Sequence, residues 1–396
     1  MSSYTKNQLG EEYLTSRDIM ISIPSIIIAV NVLYLPRKIA QTTNGLDGIV
    51  GLTIGLFLVI ILVYMISTIT KNFPNQLFID YASQLITKPL SILFIILFGF
   101  HGMLVTAFEI RAIAEISHLY LFNKTPIEVI ALTFFLVVIY AVSGSRYALF
   151  RLQLLFFPLL IIISLFISIV GVGFINIQHS LPILETDFQG HVSSSIPSTL
   201  SIAGSGIIGY FLFYISLVKN PKDVTKKSVI GVLWAYFIIL ILFLSCILIF
   251  GKHVTTNLIF PVIELARSVE IPGEFFTRFE SLLFIIWIIT VFNTSIITFD
   301  IIIFGIQSIF KKVNKIKLIL FLSPFIYLLS SLPNNFPELE LVVGYIGYYG
   351  FSLTIIITFL LFIMMKIKGR KRGESHLKNN LFNHLLGSSI TFELLG

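Results

Sequence analysis

His101, Val105 and Glu109 stand at i, i+4 and i+8 in "FHGMLVTAFEIRAIAEISHLY", so all three fall on one stripe of a helix. The apolar run around them, about residues 89 to 121, is about 50 Å long as a helix and has its midpoint near Val105. Both ionisable groups then sit about 6 Å from the centre of a bilayer. A charge placed there costs about 2.5 to 3.5 kcal/mol on insertion scales. Glu109 is therefore expected to face the bundle interior, protonated or hydrogen-bonded. With His101 it either lines a path for water or ions or fixes the packing of neighbouring helices. A second polar set lies in "TVFNTSIITFD", where Thr294 and Ser295 suit a ligand-facing or cation-facing position, or else bond their own helix backbone. Asp300 closes that segment and is placed to meet a basic loop.

Backbone chemistry is signalled in "SIPSTLSIAGSGIIGYF". Gly204, Gly206 and Gly209 weaken a helix midway through an apolar segment, each by about 1 kcal/mol relative to Ala. Ala203, Gly204, Ser205 and Gly206 are thus the expected unwound turn. Lipid cannot satisfy exposed N–H and C=O groups, so such a turn survives only against a polar cavity or a ligand; the alternative is close helix packing through small residues. Tyr210 follows on the same segment and joins His101, Glu109 and Ser295 as a candidate pathway residue. The tetrapeptide SIPS also opens "SIPSIIIAVNVLYLP", where Ala29, Val30 and Asn31 occupy the corresponding mid-segment position. Asn31 is the one strongly polar side chain there, available to a ligand or to a neighbouring helix.

Of 396 residues, 56% are hydrophobic and 12% charged, with a mean hydropathy of +0.95, a balance that excludes a water-soluble protein. Apolar blocks of about 17 to 30 residues alternate with short polar breaks, and about 20 are needed to cross the hydrocarbon. Strands would show alternating polarity instead. Ten spans are read: about 19–38, 48–70, 89–121, 127–143, 147–174, 196–218, 228–251, 276–310, 316–332 and 341–366. With both termini cytoplasmic, 20 of the 27 Lys and Arg residues lie inside, which the positive-inside rule favours. The net charge of +7 then reflects loops and a tail facing anionic lipid, not nucleic acid.

SIPS begins spans 1 and 6, and an odd-numbered five-span unit inserts its second copy upside down. The expected architecture is an all-α integral membrane protein with ten transmembrane helices in a 5+5 inverted repeat and discontinuous helices 1 and 6. The chain divides into a polar tail (1–18), with no cleavage signal, and one transmembrane domain (19–366; repeats 19–174 and 196–366). Within it lies an outer loop with a short helix (252–275), and a basic tail follows (367–396). Pro261 suits the first turn of that short helix, and Glu274 and Arg278 are spaced i, i+4, as in a structured lid. Arg111 and Glu115 form another such pair, and "VVGYIGYYGF" in span 10 reads either as tight glycine packing or as a tyrosine-lined gate. The single Cys246 excludes a disulfide framework within the chain. No phosphate loop, metal-spaced set or activated nucleophile stands out, so neither an enzyme nor a cofactor or metal site is expected.

Two broken helices opening two five-span repeats resemble the amino acid–polyamine–organocation transporter superfamily with its leucine-transporter-type fold. The segment "FPVIELARSVEIPGEFFTRFESLLFIIW", with "LYLPRKIA" at the end of span 1, narrows this. It resembles the spore germination receptor B-subunit family, also called endospore germination permeases, through Pro261, Glu264, Arg278, Glu280 and Trp287. The resemblance implies a receptor subunit in the spore inner membrane, beside an A subunit and a lipoprotein C subunit, responding to a small nutrient such as an amino acid. Ala29, Val30, Asn31, Val105, Ala203, Gly204, Ser205, Gly206 and Thr294 are its expected ligand contacts. Where relatives carry a glycine-containing turn in span 1, this chain has Ala29, Val30 and Asn31. An amino acid permease coupled to protons or sodium is the alternative, and a channel subunit a third.

Overall fold

The computed structural model describes residues 13–28, 30–181, 184–268 and 279–390, and all regular structure among them is helical. Thr15 starts α1 (Ser16–Ile27) with a reciprocal cap: its hydroxyl accepts the Asp18 N–H, and the Asp18 carboxylate accepts the Thr15 N–H. The helix stops after Ile27, and the chain resumes as α2 (Val30–Ala40) with a 60° bend between the two halves. Pro24 lies within α1 and Pro36 within α2.

The following helices are α3 (Gly48–Lys71), α4 (Phe78–Leu85), α5 (Lys88–Tyr120), α6 (Ile127–Ser143) and α7 (Arg146–Gly171). The sixth apolar segment is split like the first. α8 (Phe188–Ile202) gives way to a tight turn (Gly204–Tyr210) and the short α9 (Phe211–Tyr214), and the two halves meet at 47°. Then come α10 (Val224–Asn257), α11 (Pro261–Ser268), α12 (Phe279–Ile309), α13 (Lys315–Ser330) and α14 (Phe336–Ile390). Pro261 opens α11 as expected, whereas the Glu274–Arg278 pair lies outside the described residues.

Among the described residues, six helices are long and apolar enough to cross a membrane, and eight segments qualify when each bent pair is one span. Three features depart from the hydropathy reading by more than a shift of a span's start. Gly251, at φ 74°, turns the backbone within α10, yet the helix continues to Asn257. α4 is a short helix between spans that apolar run length does not reveal. α14 runs 55 residues, well past the apolar run.

Burial sorts centre from periphery. The most apolar window of α12 is 83% buried and that of α3 only 50%, so α12 is an inner helix. It packs along α5, while α3 packs against α8 and α10 against α1. Phe57, Ile61, Leu136, Tyr140, Phe321 and Leu328 point outward from α3, α6 and α13 as an apolar belt suited to lipid. The two broken segments pack with α5, α12 and α14.

Candidate functional site

The break in the sixth segment is a backbone feature. Gly204 and Ser205 take left-handed φ values of 56° and 52°, and Gly206 lies at φ 97°, ψ −6°. Serine is uncommon at positive φ, so this turn is held by its surroundings. Gly206 N–H donates to the Ala203 carbonyl at 3.2 Å, and the Thr354 hydroxyl of α14 donates to the Gly206 carbonyl at 2.9 Å. A methyl group on Gly206 would lie 2.5 Å from the Gly350 carbonyl oxygen and 2.6 Å from Phe351 N, so glycine alone lets the turn meet α14.

Beside this turn is a small cavity of about 40 Å³. Its walls are Ile26 and Ile27 at the end of α1, Val105, Phe108, Glu109 and Ala112 of α5, Gly204, Ser205 and Ile207 of the turn, and Val343 and Ile346 of α14. A water occupies at least about 10–15 Å³ by this measure, so the space holds about three waters. Glu109 supplies the only ionisable side chain in the wall, and its Oε2 is buried without a hydrogen-bond partner among the described residues. α1 ends here too, directing carbonyls toward the break: Pro24 O accepts the Ile28 N–H at 3.0 Å, and Ile26 O accepts the Thr294 hydroxyl at 3.0 Å.

Ser205 and Val343 also line a second, larger space of about 590 Å³, so they form the partition between the two. This vestibule is walled by Tyr34, Arg37 and Lys38 of α2, Pro197, Leu200 and Ser201 of α8, and Glu340, Tyr345 and Tyr348 of α14. Glu340 ties α14 to α2 across it, 2.5 Å from Lys38 Nζ and 3.6 Å from Arg37.

The opposite end is closed differently. Directly beyond the turn, His101 Nδ1 and the Tyr210 hydroxyl are 2.7 Å apart, and both residues are fully buried. Further on, Asp300 is fully buried, 3.0 Å from Arg146 Nε, 3.9 Å from Lys315 Nζ, and accepts the Tyr214 hydroxyl at 2.9 Å. The Arg146 guanidinium lies 4.0 Å from the Phe304 ring centre and donates to Gln307. A pocket of about 250 Å³ borders this network, lined in part by Tyr13, Asn75, Arg146 and Lys315.

Of the sequence candidates, Val105, Glu109, Gly204 and Ser205 are brought together in the cavity wall. Ala203 caps the turn, and Gly206 faces α14. His101 and Tyr210 pair with each other behind the cavity. Thr294 reaches the end of α1 through Ile26, and Ser295 is buried with no hydrogen-bond partner for its hydroxyl among the described residues. Ala29 lies outside the described residues, and Val30 and Asn31 are described as helical backbone only. Glu340 and Tyr34 were not among the sequence candidates, and Asp300 was expected to meet a basic loop without Arg146, Lys315 or Tyr214 being named as its partners. The signal for the first two was an acidic residue and a tyrosine near the ends of spans 10 and 1. Among the described residues, no cluster of three or more His, Cys, Asp or Glu groups suits a metal ion.

The profile of the family described as "Spore germination protein" matches residues 13–339. The chain belongs to the spore germination protein family. Among its relatives, spore germination protein GerLB of Bacillus cereus is 32% identical over 375 residues, covering 93% of this chain and 98% of that protein. Spore germination protein YndE of Bacillus subtilis (strain 168) is 30% identical, covering 91% and 98%. Spore germination protein A2 of the same organism is 26% identical, covering 88% and 94%. In structure, the chain is similar to Mhp1, a nucleobase-cation-symport-1 family transporter solved in a closed conformation with bromovinylhydantoin bound. The TM-score is 0.56 at 13% identity, covering 90% of this chain and 80% of Mhp1, so the likeness is one of fold.

Proposed function

We propose that this germination protein is the transporter-like membrane subunit of a spore nutrient receptor and binds a small nutrient, an amino acid, in the cavity beside the Ala203–Gly206 turn. The observation that carries this reading is the cavity itself, where the two interrupted segments, α5 and α14 converge on one small space. A ligand shifts a conformational equilibrium only through its different affinity for the two states. Ser205 and Val343 belong to both the cavity and the vestibule, so a ligand that parts them changes the shape of the site. Val105 and Ile207 line the part of it that enters the cavity, while backbone groups at the turn and the broken end of α1 hold its polar part.

The same reading arranges the chain as ten spans. The eight long or bent candidates are joined by α6 and α13, which are short but apolar, and SIPS falls in the first half of each bent pair. That supports a 5+5 inverted repeat, with residues 19–174 and 196–366 as its halves, and both termini in the cytoplasm. The Glu340 vestibule then faces outward and the Asp300 network inward. By family resemblance the chain sits in the spore inner membrane with an A subunit and a lipoprotein C subunit; Ala29, Val30 and Asn31 complete the ligand seat at the first break. A coupled permease is the second reading, favoured by the presence of a separate ion-pair closure at each end of the bundle.

Two measurements separate them. The purified chain is titrated with each L-amino acid in lipid nanodiscs, and the same chain in proteoliposomes is tested for concentrative uptake under proton and sodium gradients. Saturable binding that Val105→Trp abolishes, without uptake, is expected. Uptake against a gradient overturns the receptor reading, and binding indifferent to Val105→Trp overturns the seat.

A further inference from the structure

Resting on that seat, we infer that the small cavity is an ammonium pocket: Glu109 is the residue that selects for a ligand bearing a protonated amine. Three observations combine. First, Glu109 lines the cavity, and its Oε2 is buried with no hydrogen-bond partner among the described residues. Among the described residues no Lys, Arg or His shares that wall, and Arg111, two positions on, is occupied by Glu115 at 2.6 Å. A negative charge beside an unpartnered buried oxygen is costly, and an arriving cation relieves that cost.

Second, the negative end of a helix meets the same space. α1 terminates at Ile27, and Ile26 and Ile27 form the wall facing Glu109's helix. The last carbonyls of a helix carry partial negative charge, so both polar contributions from this side favour a positive group. Third, size and lining discriminate between cations. About 40 Å³ matches an ammonium head and its attached carbon, not a whole amino acid. Apart from Gly204 and Ser205 of the turn, the remaining walls are Ile, Val, Phe and Ala side chains, which offer few of the oxygens that a dehydrated metal ion requires. The rest of the ligand must pass between Ser205 and Val343 into the vestibule, where an α-carboxylate or a side chain finds more room.

The test is a titration of the full-length chain in nanodiscs with the twenty L-amino acids, and then, for every binder, with its 2-hydroxy acid and its N-acetyl derivative. Both derivatives should bind at least about 30-fold more weakly, as expected for loss of one buried charge pair. Glu109→Gln should lower affinity for the amino acid by a similar factor yet leave the hydroxy acid unchanged, and Glu109→Asp should fall between. A hydroxy acid that binds within about threefold of its amino acid overturns the inference, as does a Gln variant that keeps its affinity. So does a panel in which no amine binds at about 10 mM, or displacement of the amino acid by sodium or potassium. If Glu109→Gln does not yield a monodisperse protein, the wild-type pair of amino and hydroxy acids decides alone. Loss of binding in Val105→Trp with retention in Glu109→Gln leaves the seat standing and removes only its ammonium role. Retention in both removes the seat.

Discussion

Replacing Gly206 by alanine tests the broken turn directly. The residue sits at φ 97°, beyond the left-handed well in which L-residues already pay about 1–2 kcal/mol. Its new methyl would also lie 2.5 Å from the Gly350 carbonyl oxygen and 2.6 Å from Phe351 N. Those are backbone atoms and cannot rotate away, so α14 must retreat by about 1 Å, an overpacking cost of about 1–3 kcal/mol. The bond from Thr354 to the Gly206 carbonyl is strained in the same movement, which adds about 1 kcal/mol. The expected loss is about 3–6 kcal/mol. Gly344→Ala on α14 is the control, because a methyl there meets nothing within 4 Å and a helical glycine gains about 1 kcal/mol from the change. Reversible denaturation of the purified protein in mixed micelles reads the difference. If the two variants unfold within about 0.5 kcal/mol of each other, the positive-φ turn packed on α14 is not the native structure.

Two further substitutions probe the ends of the bundle. Asp300→Asn leaves Arg146 without its buried counter-ion and should cost about 2–4 kcal/mol, discounted because Arg146 is 16% exposed. The double variant with Arg146→Gln should recover at least half of that in the same denaturation assay, and strict additivity would refute the coupling. Thr294→Val removes the hydroxyl that holds Ile26 O and should cost about 1 kcal/mol. Hydrogen exchange should rise at Ile26–Ile28 and stay unchanged at Thr354, and a uniform rise along the chain would refute a local anchor.

What the sequence made legible follows from range. Gly204 and Gly206 announced a turn because missing side chains act on their own backbone, and Glu109 announced an interior face because a charge in hydrocarbon has few alternatives. Val105 followed from helical periodicity. The Asp300 network was only half readable: its basic neighbours were expected, but Arg146 is 154 positions away, and nothing local names it. Ile26, Ile27, Ile207 and Ile346 were invisible as cavity walls, since in a chain so rich in isoleucine an inward residue looks like one facing lipid. α4 and the kink at Gly251 escaped for a related reason. Hydropathy averages over a window, whereas one glycine or eight residues suffice to redirect the backbone.

The partition made by Ser205 and Val343 gives the molecule unequal insulation. Toward Glu340 a solute in the cavity is screened by one side chain's depth; toward Asp300 it is sealed by a hydrogen-bonded histidine and tyrosine and then by an ion-paired plug. On the proposed receptor reading, a nutrient enters and leaves by the same door, and news of its arrival travels onward through the helices instead of with the molecule.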